Sequence, residues 1–297
     1  MEDYNYYAAQ IIDGIAYGSI YGIFALTLVM LFRANKLFNF ALTEIATLFV
    51  LIALIMLKKF SYFPAMLIMI MLSLLGGALL HFGIMRFITE RRNVLHSSES
   101  VMTIGFFTII NSVSTYFFGD EPQKFPSPFG EESFVLFGVG ISTHSIGILI
   151  VTFGLMVSIY LFYKFSLIGL LFEAISENIV AARLRGIPAS NILALAWGFT
   201  TMTATIGAIL IAPTLYATPS MLSSVFAYSL IAVVIGGLES PLGAVIGGII
   251  IGVVENLSSN IPFIGSELKF VVVVLLLFVI LKLKPRGLWG RADIRRV

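Results

Sequence analysis

The segment Phe270-Val-Val-Val-Val-Leu-Leu-Leu-Phe-Val-Ile-Leu281 decides the fold class, because it contains no polar side chain. It is one of many long apolar stretches that follow each other closely in this chain of 297 residues. A helix needs about 20 largely apolar residues to cross the ~30 Å hydrocarbon layer of a membrane. Strands of a membrane barrel would instead alternate apolar with polar residues. Continuous apolar runs therefore predict membrane-spanning helices, whose backbone hydrogen bonds are satisfied within each segment.

The composition agrees with a lipid environment. Hydrophobic residues make up 59% of the chain and charged residues only 11%, whereas a soluble domain carries about 25% charged residues. The formal charge of +2 is too small to indicate nucleic-acid binding. Cysteine is absent, which excludes disulfides, zinc held by cysteine and a cysteine nucleophile. Glu2 and Asp3 stand where a signal peptide would be basic, so we expect a retained first helix.

Hydropathy and helix breakers together predict an all-α, polytopic helical bundle that forms a single transmembrane domain over residues 1–297. Nine spans are expected, within a range of eight to ten. The segment 222–236 is short and lies between Pro219 and the pair Gly236-Gly237, so it either crosses the membrane or is re-entrant. The spans are placed at 9–32, 37–57, 62–85, 101–118, 145–163, 190–211, 222–236, 242–257 and 268–283.

The distribution of Lys and Arg predicts an external N-terminus and a cytoplasmic C-terminus, because basic residues are retained on the cytoplasmic side. With nine spans, 14 of the 18 basic residues fall inside. Those residues are Arg33, Lys36, Arg86, Arg91, Arg92, Lys164, Arg183, Arg185, Lys282, Lys284, Arg286, Arg291, Arg295 and Arg296. The outside segments contain Lys58, Lys59, Lys124, Lys269, Asp120, Glu121, Glu131 and Glu132. The longest of these segments, 119–144, is either a surface for an external partner or a solvated connector.

The internal segment 167–187 differs from the spans, because apolar and charged residues alternate with helical spacing along it. A short amphipathic helix is expected, ended by Gly186 before Pro188. Its mixed charge and small residues favour docking into a protein groove over lying on lipid. The apolar stripe consists of Ala174, Ile175, Ile179, Ala182 and Leu184. The polar face consists of Glu173, Glu177, Asn178, Arg183 and Arg185.

Several segments, in order and spacing, resemble permeases of the branched-chain amino acid type of ABC importers. The internal segment resembles the coupling loop of that family at Ala174, Asn178, Ala182, Arg183 and Gly186-Ile187. Segment 14–29 is similar to the opening helix of the family, and Asn39-Phe-Ala41 with Glu44 to its next motif. Thr103-Ile-Gly105 and Asn111 match its fourth span. The stretches 236–248 and Pro285-Arg-Gly-Leu-Trp-Gly290 resemble its late signatures.

The resemblance implies a multi-pass permease of the plasma or inner membrane that moves small polar solutes by alternating access. It implies ATP bound by a partner, with no cofactor on this chain. The expected partners are two cytoplasmic ATPases, a second permease (identical or paralogous) and an external solute-binding protein. Branched-chain or related amino acids are the leading substrates. The ATPases would contact Glu173, Ala174, Asn178, Ala182, Arg183 and Gly186.

Polar residues inside the bilayer are costly and therefore mark candidate functional sites. Asn39 breaks an apolar run, and in the resembling family this segment lines the translocation passage. Glu44 either lines the same passage or forms an ion pair with Arg33 or Lys36. Thr103 and Asn111 complete the candidate passage by resemblance. Where the family has a His-Gly pair, this chain has Leu42-Thr43. This difference weakens the inference that the chain shares the substrate of the family, and it predicts a drier, stiffer region.

The remaining polar and small residues have other expected roles. Asp13 lies near the outer end of the first span, and Glu239 and Glu255 are expected to be structural or interfacial. Gly76-Gly77, Gly236-Gly237, Gly243 and Gly247-Gly248 are expected to pack helices rather than contact solute. Pro213 and Pro219 predict a break on the external side.

Two other function classes compete with the permease. An ion-gradient-driven transporter of small solutes would bind a proton or cation at Asp13 or Glu44. An intramembrane enzyme would need a carboxylate pair, a metal or a nucleophile, and the sequence shows no such constellation. His81, His96 and His144 share no ligand spacing, so no metal site is expected. The chain has no Walker-type phosphate loop, so ATP-driven transport requires a separate ATPase.

Overall fold

A computed structural model describes residues 2–35, 38–86, 96–130, 132–136, 139–259 and 265–290. Among the residues used to predict orientation, Lys36, Arg91, Arg92, Glu131, Arg291, Arg295 and Arg296 lie outside this description. The described helices are α1 (Glu2–Asn35), α2 (Leu42–Met56), α3 (Tyr62–Leu80, continued by a π-helical turn at His81–Met85), α4 (His96–Phe118), α5 (Thr143–Phe165), α6 (Leu167–Glu177), α7 (Ile179–Leu184), α8 (Ala189–Leu215), α9 (Ser223–Gly236), α10 (Pro241–Ser258) and α11 (Gly265–Leu283).

The helical membrane fold predicted from hydropathy is confirmed. Within the described residues, six helices are long and apolar enough to cross a membrane, namely α1, α3 with its π turn, α4, α5, α8 and α10. Helices α2 and α9 are apolar but shorter, with 15 and 14 residues. At 1.5 Å per residue, α9 is about 21 Å long, less than the ~30 Å of the hydrocarbon layer. The count of nine spans and the orientation of the termini stay predictions.

Three local features differ from the expected pattern. Helix α2 begins only at Leu42, because the preceding backbone is held in a turn by side chains of Asn39 and Thr103. Helix α8 continues through Pro213 and ends at Leu215, so the expected break lies after the proline. The external segment contains an antiparallel hairpin, β1 (Ser133–Leu136) and β2 (Val139–Ser142), which adds two short strands to the expected all-α fold.

The contacts of the chain divide it into two compact units. The first unit takes Met1–Val29, Ser127–Gly154 and Ser224–Val297. The second unit takes Met30–Pro126 and Leu155–Ser223.

Glycines hold the helices of the first unit close together. A Cβ atom at Gly18 of α1 would lie 2.8 Å from the carbonyl oxygen of Gly248 in α10, and one at Gly247 would lie 2.5 Å from the carbonyl oxygen of Ala232 in α9. Gly236 and Gly243 approach each other in the same way. These contacts confirm the predicted close packing at Gly236, Gly243 and Gly247.

The second unit is built around α8, which packs against α2 and α3. Its Trp197 is among the largest fully buried side chains. Gly77 of α3 permits close approach, since a Cβ there would lie 2.5 Å from the carbonyl oxygen of Trp197. Three of the four candidate passage residues are buried in this unit, and the fourth, Asn111, is half-buried.

Candidate functional site

The structure brings Glu44 and Asn111 together within the second unit. The Asn111 Nδ2 atom donates to Glu44 Oε2 at 3.0 Å and to the carbonyl oxygen of Pro219 at 3.3 Å. The Glu44 side chain is 0% exposed, and its Oε1 atom has no hydrogen-bond partner. The ion pair with Arg33, one of the two alternatives for Glu44, does not form, and Lys36 lies outside the described residues. Glu44 is therefore a buried carboxylate held by one amide and free at one oxygen.

Three hydroxyl groups on the helices that carry Glu44 and Asn111 are also buried without a hydrogen-bond partner. Thr43, Glu44 and Thr47 lie on one side of α2, because at 3.6 residues per turn they span about 100° around the helix axis. Ser114 lies one turn after Asn111 on α4. The hydroxyl groups of all three are buried and unpaired.

The threonines of α8 behave differently, although they are as deeply buried. Thr200, Thr201, Thr203 and Thr205 each donate a hydrogen bond to a carbonyl oxygen of their own helix at 2.8–3.1 Å. They are therefore satisfied locally and form no open polar face. The contrast marks the α2–α4 flank as unusual, since buried polar atoms in proteins are usually paired.

Asn39 lies in the turn before α2 rather than on the helix. Five residues separate it from Glu44, but that spacing does not put both on one helix face, because α2 begins at Leu42. Its Oδ1 atom accepts a hydrogen bond from the Ala41 N–H at 3.1 Å. This bond leaves the Nδ2 donor buried and unpaired.

Thr103 holds the same turn from the side of α4. Its hydroxyl group accepts from the Phe40 N–H at 3.1 Å, and the carbonyl oxygens of Phe38 and Ser100 lie 3.1 and 2.7 Å from it. The visible role of Thr103 is thus to position the Asn39 turn. A direct contact between Thr103 and solute stays a prediction.

A narrow crevice in the second unit is lined by Asn39, Thr103 and a tryptophan that the sequence analysis missed, and Glu44 and Asn111 are not part of its lining. Trp197 lines it, and its Nε1 donor is buried without a partner, as is Asn39 Nδ2. The wall of the crevice is apolar, and the N–H groups of these two lining residues are buried behind it. No sequence signal marked Trp197, because a tryptophan in an apolar helix usually belongs to the core. The lining consists of Asn39, Ala41, Ile45, Leu80, Ile84, Met85, Thr103, Phe106, Ile110 and Trp197.

The internal segment 167–187 forms two helices instead of one. Asn178 ends α6 and caps α7, because its Oδ1 atom accepts from the N–H groups of Val180 and Ala181 at 3.0 Å each. Gly186 ends the second helix with φ of +81°, a conformation that favours glycine. The helix stop at Gly186 is confirmed, and the single helix is corrected to a bent pair.

The bent pair has an inner and an outer face. Phe172, Ile175 and Ala182 are buried in one hydrophobic cluster with Met85 and Trp197. Leu184, which the sequence placed in the apolar stripe, is 85% exposed, because it follows the buried Ala182 on α7 by two residues, or about 200° of helical rotation. The other predicted coupling residues Glu173, Asn178, Arg183 and Gly186 are exposed, and Ala174 is half-buried.

Two acidic residues of the first unit, Asp13 and Glu255, have structural partners. Glu255 forms an ion pair with Lys269 at 2.6 Å and accepts a hydrogen bond from the Tyr21 hydroxyl group at 2.6 Å. Asp13 accepts a hydrogen bond from the Ser145 hydroxyl group at 2.6 Å. Both carboxylates therefore link helices of this unit.

Residues 10–281 match the family described as branched-chain amino acid transport system / permease component. The chain belongs to this permease family. The high-affinity branched-chain amino acid transport system permease protein BraD of Pseudomonas aeruginosa is similar to this permease, with 26% identity over 317 residues and 100% of both chains covered. The LivH proteins of Salmonella typhimurium and Escherichia coli are each 26% identical over 314 residues, covering 100% of this chain and 99% of theirs.

A solved structure, PsaBC from Streptococcus pneumoniae in complex with Fab, matches this permease with 13% identity and a TM-score of 0.48, covering 95% of this chain and 93% of that chain. The family assignment rests on the sequence match alone. It confirms the predicted permease subunit of an ABC-type importer in a multi-pass membrane setting, and it disfavours the ion-gradient-driven transporter.

Proposed function

We propose that this permease moves branched-chain or related amino acids across the inner membrane by alternating access, driven by ATP hydrolysis on two cytoplasmic ATPases. An external solute-binding protein delivers the solute, and a second permease, identical or paralogous, completes the passage. The names of the relatives support the substrate class, since BraD and LivH are branched-chain amino acid permeases. Asn39, Glu44, Thr103 and Asn111 are the proposed passage residues of this chain.

The observation that carries the coupling mechanism is the hydrophobic cluster beneath α6 and α7. It contains Phe172, Ile175 and Ala182 of these helices together with Met85 and Trp197, and the last two residues also form part of the crevice wall. Because packed side chains resist compression, a displacement of α6 and α7 shifts Trp197. Closure of the ATPases would thus change the width of the crevice next to Asn39.

The outer face of the bent pair supplies the docking surface for an ATPase. Leu167, Leu170, Val180 and Leu184 are 80%, 62%, 63% and 85% exposed. Charged side chains of both signs border them, namely Glu173, Glu177, Arg183 and Arg185. Exposed apolar residues bordered by charges are typical of a protein interface.

Hydrogen bonds within each unit support the proposed orientation. In the first unit, the Leu288 N–H donates to the carbonyl oxygen of Ile235 at 2.7 Å, and both residues lie at predicted cytoplasmic ends. In the second unit, Gln123 and Ala217 form a β-bridge, and both lie in predicted external segments. If the chain crossed the membrane once more or once less between the two residues of either pair, those residues would lie on opposite sides of the membrane and could not form a hydrogen bond.

Co-purification of the ATPase tests this proposal. Leu184→Glu changes an exposed residue, so we expect a folded, monodisperse permease that no longer retains the ATPase. Ala182→Glu changes a residue that is 3% exposed, so it should unfold the segment or the whole chain. Phe134→Glu in the external hairpin is the matched control and should retain the ATPase. Normal ATPase retention by a Val180→Glu/Leu184→Glu double variant would refute docking on this face.

A further inference from the structure

The Glu44 carboxylate lacks a positive partner, although it is fully buried. Asn111 is the one described residue that hydrogen-bonds to it, and no described Lys or Arg forms an ion pair with it. A buried carboxylate is otherwise paired with a cation or carries a proton itself. The buried acid Glu255 of the first unit follows this rule, because it is paired with Lys269. Glu44 therefore requires a charge partner or a proton from outside the described residues.

The surroundings of Glu44 select the chemistry of that partner. Glu44 Oε1 and the hydroxyl groups of Thr43, Thr47 and Ser114 are buried acceptors without a partner, on the neighbouring helices α2 and α4. A primary ammonium group has three N–H donors and one positive charge, so it suits one carboxylate oxygen and nearby hydroxyl groups. Ca²⁺ takes six to eight oxygen ligands, and Mg²⁺ keeps several of its waters, whereas this flank offers one free carboxylate oxygen and three hydroxyl groups, all fully buried.

We infer that Glu44, with Thr43, Thr47 and Ser114, binds the ammonium group of the transported solute. This inference rests on the proposed function and deepens it, because it assigns the residues that recognise the amino group of the solute. Asn111 acts as a positioning residue, since its amide holds Glu44 Oε2 and leaves Oε1 for the solute. Carboxylic acids without an amino group and simple amides would lack this charge pairing.

The competing explanation is that Glu44 is a neutral acid that carries a proton. Replacement by glutamine separates the two cases, because glutamine has nearly the same shape and imitates the neutral acid. A proton-bearing Glu44 tolerates Glu44→Gln, whereas an ammonium-binding Glu44 loses a charge-assisted hydrogen bond, which corresponds to an effect of about 10- to 100-fold.

The test uses the permease reconstituted in liposomes with its ATPases and binding protein. At saturating leucine-loaded binding protein, we expect Glu44→Gln to reduce ATP-dependent leucine uptake about tenfold or more. Glu44→Asp keeps the charge and should recover part of the uptake. Thr205→Val is the control, because this hydroxyl group is satisfied within α8 and lies outside the proposed site.

Direct binding provides the second measurement. Leucinol and 4-methylpentanol differ only by the amino group, so leucinol should raise the thermal midpoint of the purified permease while 4-methylpentanol should not, and Glu44→Gln should abolish the difference. Wild-type uptake by Glu44→Gln would overturn the ammonium site and leave the permease function intact. Absence of ATP-dependent uptake in the wild-type complex would instead refute the proposed function.

Discussion

Replacing Gly18 with alanine tests how closely α1 and α10 pack in the first unit. The added Cβ atom would lie 2.8 Å from both the carbonyl oxygen of Gly248 and the Cα atom of Ile249. Carbon atoms in contact are about 3.5–4.0 Å apart, so the two helices must separate locally by roughly 1 Å. Such overpacking costs about 1–3 kcal/mol, and the higher helix propensity of alanine returns about 0.8–1 kcal/mol. The atoms that the added Cβ would meet are backbone atoms and cannot rotate away, so the cost lies in the upper part of that range, at about 2–3 kcal/mol. We therefore expect a net loss of about 1–2 kcal/mol in stability.

The thermal midpoint of the purified protein in detergent measures this loss. For a chain of this size we expect a decrease of about 2–8 °C for Gly18→Ala. Gly154→Ala is the matched control, because it also lies within a helix but a Cβ there has no heavy atom within 4 Å. Its midpoint should equal or exceed that of the wild type. Equal midpoints for the two variants would show that α1 and α10 do not depend on glycine for their contact.

Three further changes test the bent pair and the buried ion pair. Asn178→Ala removes the N-cap of α7, which contributes about 1 kcal/mol, so the affinity for the ATPase should fall. Asn178→Asp keeps a capping side chain and should keep the affinity. Equal affinity of both variants would exclude a role for the cap. Gly186→Ala forces a non-glycine residue into φ of +81°, at a cost of about 1–2 kcal/mol, and should reduce ATP-dependent uptake more than Gly186→Asn does. Glu255→Gln breaks the ion pair with Lys269, whose side chain is 37% exposed. Because water reaches this pair, the loss in stability should be about 1–2 kcal/mol, less than the ~3–5 kcal/mol of a fully buried pair. An unchanged thermal midpoint would show that water already screens the pair.

The apolar runs predicted the helical fold because hydropathy depends only on the local sequence. The predicted start of the second span, at residue 37, was wrong. The helix begins only at Leu42, because the preceding turn is held by Thr103, which is distant in the sequence. The split at Asn178 was missed for a local reason, since asparagine is compatible with a helix interior and with a cap. The hairpin at Ser133–Leu136 and Val139–Ser142 is too short to give a strong alternating pattern.

The candidate site was predicted in part. Resemblance to the permease family marked Glu44 and Asn111 separately, and the structure adds the hydrogen bond between them. Thr43 was noted for its departure from the family pattern, but its unpaired hydroxyl group becomes visible only when the neighbouring helices are in place. The same holds for Trp197, whose free N–H group depends on what surrounds it.

Solute uptake into liposomes tests the central claim, which is that this chain is a permease powered by a separate ATPase. The account predicts leucine uptake that requires ATP, the ATPase and the loaded binding protein together. It also predicts that Leu184→Glu abolishes this uptake, because the variant prevents ATPase docking. Uptake by the isolated chain under a proton gradient, without ATP, would contradict the account.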